Sequence, residues 1–236
     1  MAAPFLTATW SNLFLSTYAV PPALLAPRLP PGTTLDLRDG DAFVSLVAFE
    51  FLDTRVRGIP WPGYRNFAEL NLRFYVRHGD DRGVVFVREF VPQRLVAWLA
   101  RTLYNEPYRA APLTATRGGA DGTHEMTYEL GWAGRAHVIE VSAEAATFRP
   151  PADSLEHFFK EHRWGFGTTR DGRLRRYEVD HPHWDIHRIR SARIDLDWSA
   201  VYGPEWSFLA SAQPCSTVLA VGSPVSVSPA ADSPRA

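Results

Sequence analysis

The sequence predicts a mainly β protein, in which one large and mostly antiparallel sheet carries a few short helices at its edges. Most segments either alternate apolar and polar residues or are apolar throughout, and both patterns are typical of strands. Turns rich in glycine and aspartate separate these segments at short intervals. Hydrophobic residues make up 45% of the 236-residue chain, which is enough to bury a sizeable core.

The predicted strands follow one another along the chain. Residues 33–37 and 42–51 form a first pair, and the second of them is apolar on both faces, as expected for a central strand that is covered on both sides. Residues 67–78 and 84–90 form a hairpin around a Gly-Asp-Asp-Arg-Gly turn. Further strands are predicted at 112–117, 124–131, 136–142, 164–169, 174–181, 185–195 and 216–221.

The predicted helices are short, and they lie at 21–26, 92–103 and 153–162. The second is supported by apolar residues at helical spacing, namely Leu95, Val96, Leu99 and Leu103. No internal repeat and no domain boundary is visible, so we expect a single domain over residues 1–222. Residues 223–236 are rich in Ser, Pro and Ala, and we expect them to form a frayed tail.

Charge and cysteine content argue against several classes of protein. The formal net charge is −1, so no overall basic field attracts nucleic acid or a membrane. Cys215 is the single cysteine, and no disulfide can therefore form within the chain. No apolar run approaches the length of a membrane span, and residues 1–12 lack the pattern of a signal peptide. We expect a cytoplasmic protein with neither a nucleic-acid partner nor a membrane partner.

Several short phrases follow one another in a specific order: WSNL at 10–13, VPP at 20–22, LPPG at 29–32, RVRGIP at 55–60, FAELNLRFYV at 67–76, GVVF at 83–86, PY at 107–108 and HPHW at 181–184. In this order they resemble the YqjF-like family of bacterial proteins, which has the acetoacetate decarboxylase-like fold. The resemblance spans nearly the whole chain. It implies a cone-shaped, closed or nearly closed antiparallel barrel around a pocket, with short peripheral helices.

In decarboxylases of that fold, one lysine forms a Schiff base with a keto acid and a second lysine lowers its pKa. The similar place in this chain reads NEPYR at 105–109, so Tyr108 and Arg109 stand where the lysine pair is expected. Lys160 is the only lysine, and in the predicted helix at 153–162 we interpret it as a surface charge. Because the lysine pair is missing from this place, we do not expect a standard Schiff-base decarboxylase.

The predicted strand at 67–78 carries the strongest candidate site. Side chains alternate between its two faces, and the polar face carries Glu69, Asn71, Arg73, Tyr75 and Arg77. This face is either the solvated side of an ordinary antiparallel sheet or, as the resemblance implies, part of the lumen of the cone. In a lumen, Glu69 would act as an acid or base and Arg73 would clamp a carboxylate, with Asn71 beside them.

Other side chains complete the predicted ligand-binding set. Tyr108 or Tyr75 would polarise a carbonyl group by hydrogen bonding, and Arg109 follows Tyr108 directly. Arg55 precedes a Gly-Ile-Pro-Trp-Pro-Gly loop, which is either the mouth of a pocket or a solvated edge. His181 and Trp184 are placed at the edge of the pocket.

The segment at 181–187 alternates possible metal ligands. On one strand, His181, His183, Asp185 and His187 would share a face. The His-x-His spacing is weakly specific, and the alternatives are a pocket-edge role for His181 or ordinary structural histidines. Glycine-rich phosphate loops, dinucleotide fingerprints and paired-cysteine zinc sites are missing from the sequence. We therefore predict neither a metal nor a cofactor.

Three functions remain open from the sequence. The first is a pocket protein for a small organic acid or keto compound, acting as a lyase, hydratase or isomerase without an imine, with Glu69 and Tyr108 as catalytic residues. The second is a non-catalytic metabolite-binding or sensing module, and the third is a structural protein whose barrel is filled by side chains. An exposed sheet edge at 84–90 would also allow a homo-oligomer.

Overall fold

The computed structural model describes residues 3–234, and it is built mainly from strands, as predicted. The strands, in chain order, are β1 (Leu6–Val20), β2 (Thr34–Leu35), β3 (Ala42–Val56), β4 (Phe67–His78), β5 (Asp81–Val91), β6 (Tyr108–Ala110), β7 (Leu113–Gly118), β8 (Thr123–Trp132), β9 (Arg135–Phe148), β10 (Trp164–Thr168), β11 (Leu174–Asp180), β12 (Ile186–Asp195), β13 (Ser216–Val227) and β14 (Ala231–Asp232). The helices are α1 (Pro22–Leu25), α2 (Arg94–Leu103), α3 (Leu155–Lys160) and α4 (Trp198–Tyr202), with 3₁₀ turns at Ala26–Arg28 and Pro204–Ala210.

Seven strands close into a barrel. Neighbouring strands pair in the order β1, β3, β4, β5, β10, β11 and β13, and β13 pairs again with β1. The closing pair joins β11 to β13, where Val179 lies opposite Val227 and Asp180 lies opposite Ser226. These pairs are antiparallel except for β5 and β10, which run parallel. A closed ring surrounds an interior that side chains can either fill or leave open.

A second group of strands extends the sheet from the barrel. β12 pairs with β13, and β9, β8 and β7 follow in antiparallel order. The short strands β2 and β6 pair with β4 and β5. Among the described residues, no helix is long and apolar enough to cross a membrane.

The central strand β3 is covered on both faces, as predicted. One face contributes to the larger hydrophobic cluster through Val44, Leu46 and Ala48. The other face contributes to a second cluster through Val47, Phe49 and Phe51. The neighbouring strand β4 also follows the predicted alternation, and its side chains in the larger cluster are Leu70, Leu72, Phe74 and Val76. The residues between them therefore lie on the opposite face of β4.

Strand β1 was absent from the sequence-based prediction. A register shift between Ser11 and Phe14 interrupts its pairing with β3, and Asn12 within the shift has a left-handed φ of 54°. The irregularity changes which residues share a face: Ala8 before the shift and Leu13 and Leu15 after it lie in the same hydrophobic cluster, although their spacing does not fit a period of two. Alternation along the sequence is therefore a poor guide to this strand.

Three predictions about strand pairing were wrong. The expected frayed tail instead continues β13 to Val227 and adds β14, because these segments pair with β11 through main-chain hydrogen bonds that do not depend on side-chain type. The expected pair of 33–37 with 42–51 does not form, since β2 pairs with β4. The predicted free edge at 84–90 is also occupied at both ends, by β10 and by β6.

Candidate functional site

A cavity of about 560 Å³ lies within the barrel. All seven barrel strands contribute side chains to it, and so do helix α2 and the loop at 57–64. Glu69, Asn71 and Arg73 line the cavity, because they alternate with the core residues of β4. The polar face of this strand therefore faces the lumen, and the reading of it as a solvated outer face was wrong. A barrel filled by side chains is likewise inconsistent with the cavity.

Three glutamates meet at the cavity wall. Glu69 of β4, Glu89 of β5 and Glu106, which follows α2, have exposed fractions of 2%, 1% and 6%. The Tyr108 hydroxyl donates a hydrogen bond to Oε2 of Glu69 at 2.8 Å, and the Asn71 amide donates to Oε1 at 2.9 Å. Buried carboxyl groups in such proximity cannot all ionise at once.

The surroundings raise the pKa of each glutamate. Burial raises the pKa of Glu69 to about 7, while hydrogen bonds from Tyr108 and Asn71 oppose the shift. Burial raises the pKa of Glu106 to about 8, although the Tyr177 hydroxyl donates to its Oε1 at 3.1 Å. Burial, followed by the charges of Glu69 and Glu106, raises the pKa of Glu89 well above its ordinary value. Glu69 and Glu106 therefore both have pKa values close to neutrality, and that of Glu69 is the lower.

Three residues on the β4 and β5 side of the wall carry polar atoms without a hydrogen-bond partner among residues 3–234. They are the Nε donor of Arg73, the Oδ1 acceptor of Asn71 and the Oε1 acceptor of Glu89, and each atom is buried. Buried polar groups in proteins are almost always hydrogen-bonded. A ligand that carries both an acceptor and a donor would satisfy these atoms, so the wall is equipped to hold a polar group.

Of the other predicted site residues, some line the cavity and others do not. His181 and Trp184 line the cavity, and their rings stack with centroids 4.0 Å apart. Tyr75 does not line it, because its ring packs among Phe43, Val84 and Phe159 and its hydroxyl shares a hydrogen bond with Ser45. The predictions for Arg55 and Arg109 are also not supported, since both side chains are exposed and lie outside the cavity lining.

The shared histidine face predicted at 181–187 does not exist. Strand β12 begins at Ile186, so residues 181–185 form a loop in which alternation does not hold. His181 stacks on Trp184, whereas the ring of His187 stacks on His124 at 4.8 Å. His183 lies instead against α3, with its ring 5.2 Å from that of His157.

Within the described residues, one group of side chains has the ligand types and spacing of a metal site. The ligand atoms of His157, Glu161 and His183 lie within 4.8 Å of one another. However, the ammonium group of Lys160 is bound to the same Glu161 carboxylate, which also accepts the main-chain N–H of Trp184 at 3.2 Å. A cation at this position would have to share one carboxylate with the ammonium, and we assign no metal there.

Lys160 was wrongly interpreted as a surface charge. Its exposed fraction is 1%, and its ammonium group is held in an ion pair with Glu161. Burial lowers the pKa of this lysine. The error arose because α3 ends at Lys160 and turns that residue inward next to Phe159, which is fully buried. Lys160 lies at the cavity wall, but its side chain has no exposed surface.

Glu89, Glu106 and Tyr177 also line the cavity, but periodicity along the sequence does not predict them as site residues. In β5, a register shift leaves Val87 unpaired, because Phe86 lies opposite Arg73 and Arg88 lies opposite Leu72. The shift turns Glu89 to the same side as Phe86, which simple alternation would not do. A signal was present in the sequence, since two adjacent charged residues, Arg88 and Glu89, interrupt the apolar residues of FVREFV. Glu106 lies outside any strand and carries no periodic signal.

Comparison with known proteins agrees with this architecture. Residues 7–224 match the model of the DUF2071 family, described as an uncharacterized conserved protein. The uncharacterized protein YqjF of Bacillus subtilis (strain 168) is 28% identical over 177 residues, which cover 75% of this chain and 72% of YqjF.

Two solved structures share the fold at low sequence identity. An acetoacetate decarboxylase-like enzyme from Sphingomonas wittichii RW1 superposes with a TM-score of 0.69 at 15% identity, covering 100% of this chain and 95% of that one. The enduracididine biosynthesis enzyme MppR, complexed with pyruvate, gives a TM-score of 0.67 at 16% identity, covering 98% and 91%. The resemblance read from the sequence is confirmed: the chain belongs to the DUF2071 family and has the acetoacetate decarboxylase-like fold.

Proposed function

We propose that this protein binds a small keto acid or related organic acid in the barrel cavity and moves a proton on it through Glu69. The observation that carries the proposal is the state of Glu69, a buried carboxyl at the cavity wall whose pKa is raised to about 7. A group with a pKa near the working pH can take up a proton and return it with little cost in either direction.

The surrounding groups suit the removal of a proton from a carbon next to a carbonyl. The Glu69 carboxylate would accept that proton, and the electron pair of the broken C–H bond would move to the carbonyl oxygen as an enolate. Burial and the charges of Glu69 and Glu106 raise the pKa of Glu89 well above its ordinary value, which favours its protonated form, and a protonated Glu89 would donate a hydrogen bond to that oxygen. Eliminations of a β-substituent, including loss of water, and isomerisations through an enolate can begin with this step, which fits a lyase, a hydratase or an isomerase.

Arg73 is the group that we assign to the ligand carboxylate. Its Nη2 donates to the Phe159 carbonyl at 3.2 Å, whereas its Nε is buried and unpartnered among the described residues. A guanidinium group matches the geometry of a carboxylate. Because Arg73 lines the cavity, its unpartnered Nε is available to bind a ligand carboxylate there. Tyr108 would keep Glu69 oriented through their hydrogen bond.

An imine is not needed for this chemistry. The side chain of Lys160 has no exposed surface, and its ammonium group is occupied by Glu161. The likeness to MppR, whose structure was solved with pyruvate, supports a keto acid as the ligand class. That support comes from the fold alone, and the roles of the side chains rest on the geometry of this cavity.

Deuterium exchange tests the proposed proton transfer directly. The protein is incubated in D₂O with a panel of keto and hydroxy acids, and loss of the proton next to the carbonyl is followed by NMR. We expect exchange above the spontaneous rate, and Glu69→Gln should reduce it to that rate. Glu129→Gln is the matched control, because Glu129 is exposed on β8.

The other outcomes separate the alternatives. Binding of an acid without enzyme-dependent exchange would favour a metabolite-binding or sensing module that uses the same cavity. Exchange that survives in Glu69→Gln would remove Glu69 from the mechanism. Failure of every acid to bind would overturn the ligand class.

A further inference from the structure

The cavity has a closed polar end and an open apolar end. Glu69 and Glu89 have almost no exposed surface, so they mark the closed end. Among the residues that line the same cavity, Trp61, Trp98 and Leu103 are 49%, 53% and 43% exposed, and they mark its mouth. A ligand that reaches the carboxyl cluster must therefore pass along the walls between these two ends.

Those walls are mainly apolar. The lining residues between the ends come from β1, β3, β4, α2 and β10, and they include Leu13, Phe49, Phe67, Leu99 and Trp164. The cavity of about 560 Å³ corresponds to on the order of 19 molecules of liquid water. A short-chain keto acid would reach the polar cluster but would leave most of the apolar wall in contact with water, which is unfavourable.

We propose that the natural ligand carries a bulky apolar body, either a long alkyl chain or an aryl group, on its keto-acid end. The keto-acid end would lie at Glu69 and Arg73, and the apolar body would run along the walls toward Trp61 and Trp98. This inference rests on the proposed function, because that function places the reactive end. It adds the class of substrate and assigns the apolar walls to substrate selection.

Helix α2 is the element that we expect to determine which apolar bodies fit into the cavity. Leu95, Val96 and Leu99 line the cavity from the helix, and Trp98 lines it at the mouth, whereas Arg94 is exposed and lies outside the lining. Leu99 is half-buried and adds its side chain directly to the wall. Enlarging one of these lining side chains would shorten the room for the apolar body without altering the carboxyl cluster.

Binding across a homologous series tests the proposal. Calorimetry with the full chain would measure the affinity for straight-chain 2-keto acids of increasing length and for their phenyl-substituted counterparts. Each added methylene that becomes buried should increase the affinity roughly three- to fourfold until the cavity is filled. Affinity that is flat or falls with chain length would overturn the proposal.

A variant that fills part of the cavity tests whether the dependence of affinity on chain length arises at the wall formed by α2. Leu99→Trp should reduce the affinity for the longest acids at least tenfold and leave the affinity for pyruvate within about twofold. The matched control is Phe208→Trp, because Phe208 is an exposed hydrophobic residue outside the cavity lining. Thermal unfolding would show whether Leu99→Trp is folded, and Leu95→Phe offers a smaller filling change at the same wall.

Two readouts separate this proposal from the proposed function. A steep chain-length dependence of binding without deuterium exchange would support the apolar-body ligand and contradict proton transfer. Exchange on short acids with no gain from added length would support proton transfer and contradict the apolar-body ligand.

Discussion

The Tyr108 hydroxyl lies 2.8 Å from Oε2 of Glu69 and donates a hydrogen bond to it, joining β6 to β4 through two cavity-lining side chains. The bond stabilises the ionised carboxylate, and it therefore opposes the rise in the pKa of Glu69 that burial causes. Tyr108 thus controls the pH at which Glu69 can accept a proton, in addition to any contact that it makes with a ligand.

Removing this bond should raise the pKa of Glu69. In Tyr108→Phe the carboxylate loses one donor while its burial persists, so its pKa is expected to rise above the present value of about 7. The measurement is the pH profile of deuterium exchange, whose inflection should move to higher pH. Tyr177→Phe is the control, because Tyr177 donates to Glu106 instead. An unmoved inflection in Tyr108→Phe would contradict the role given to this bond.

Stability should fall as the pH rises through neutrality. The pKa of Glu69 is raised from its ordinary value of 4.5 to about 7, so the folded protein holds a proton that the unfolded chain has already lost. The stabilisation is fully present below about pH 4.5 and is lost as the pH rises to about 7, by on the order of 3 kcal/mol for this group. Denaturant unfolding between about pH 5 and pH 8 should show this slope.

The matching variant isolates the contribution of Glu69. Glu69→Gln removes the titration, so its unfolding free energy should fall less steeply with pH than that of the unmodified protein. Glu129→Gln, on the exposed side of β8, should keep the original slope. Equal slopes in all three proteins would show that Glu69 is already ionised at acid pH.

The ion pair of Lys160 with Glu161 should be strongly coupled. Lys160→Met keeps the apolar stem but leaves a largely buried carboxylate without its cation, which is expected to cost about 3–5 kcal/mol of unfolding free energy. The double variant Lys160→Met with Glu161→Gln should recover most of that loss, since no unpaired charge remains. Denaturant unfolding of the two single variants and the double variant measures the coupling, and additive losses would argue against a buried pair.

Lys160 should not form an imine with the ligand. Borohydride reduction in the presence of pyruvate, followed by peptide mass analysis, is expected to leave Lys160 unmodified, because its ammonium group is bound to Glu161 and its side chain is not exposed. Since Lys160 is the only lysine, a reduced adduct on any lysine side chain would be assigned without ambiguity. Such an adduct would replace the proposed mechanism with Schiff-base chemistry.

Gly165 should resist enlargement, because a Cβ at this position would lie 2.2 Å from Cζ of Tyr177. Gly165→Ala is expected to displace the Tyr177 ring, weaken its hydrogen bond to Glu106 and lower the unfolding free energy by about 1–3 kcal/mol. Gly118→Ala is the matched strand control, since its nearest neighbour would be 3.5 Å away. Thermal unfolding compares the two, and equal stabilities would show that Tyr177 moves aside freely.

Several features of the fold could be predicted because they are local. The apolar segment at 42–51 has no polar face, and the structure indeed buries both faces of β3. The period-two pattern in β4 assigned Glu69, Asn71 and Arg73 to one face. Alternation along a strand depends only on backbone geometry, and it therefore holds wherever the strand is regular.

The sequence by itself determined the mainly β character, the polar face of β4 and, through the resemblance of its ordered phrases, the fold family. Only the tertiary structure decided what that face meets: β5 pairs with β4 and its register shift turns Glu89 toward the cavity, and the segment after α2 brings Glu106 to the same wall. Tertiary contacts likewise buried Lys160 at the end of α3. These outcomes depend on which distant segments pack together, and a local pattern carries no information about the residues across the barrel.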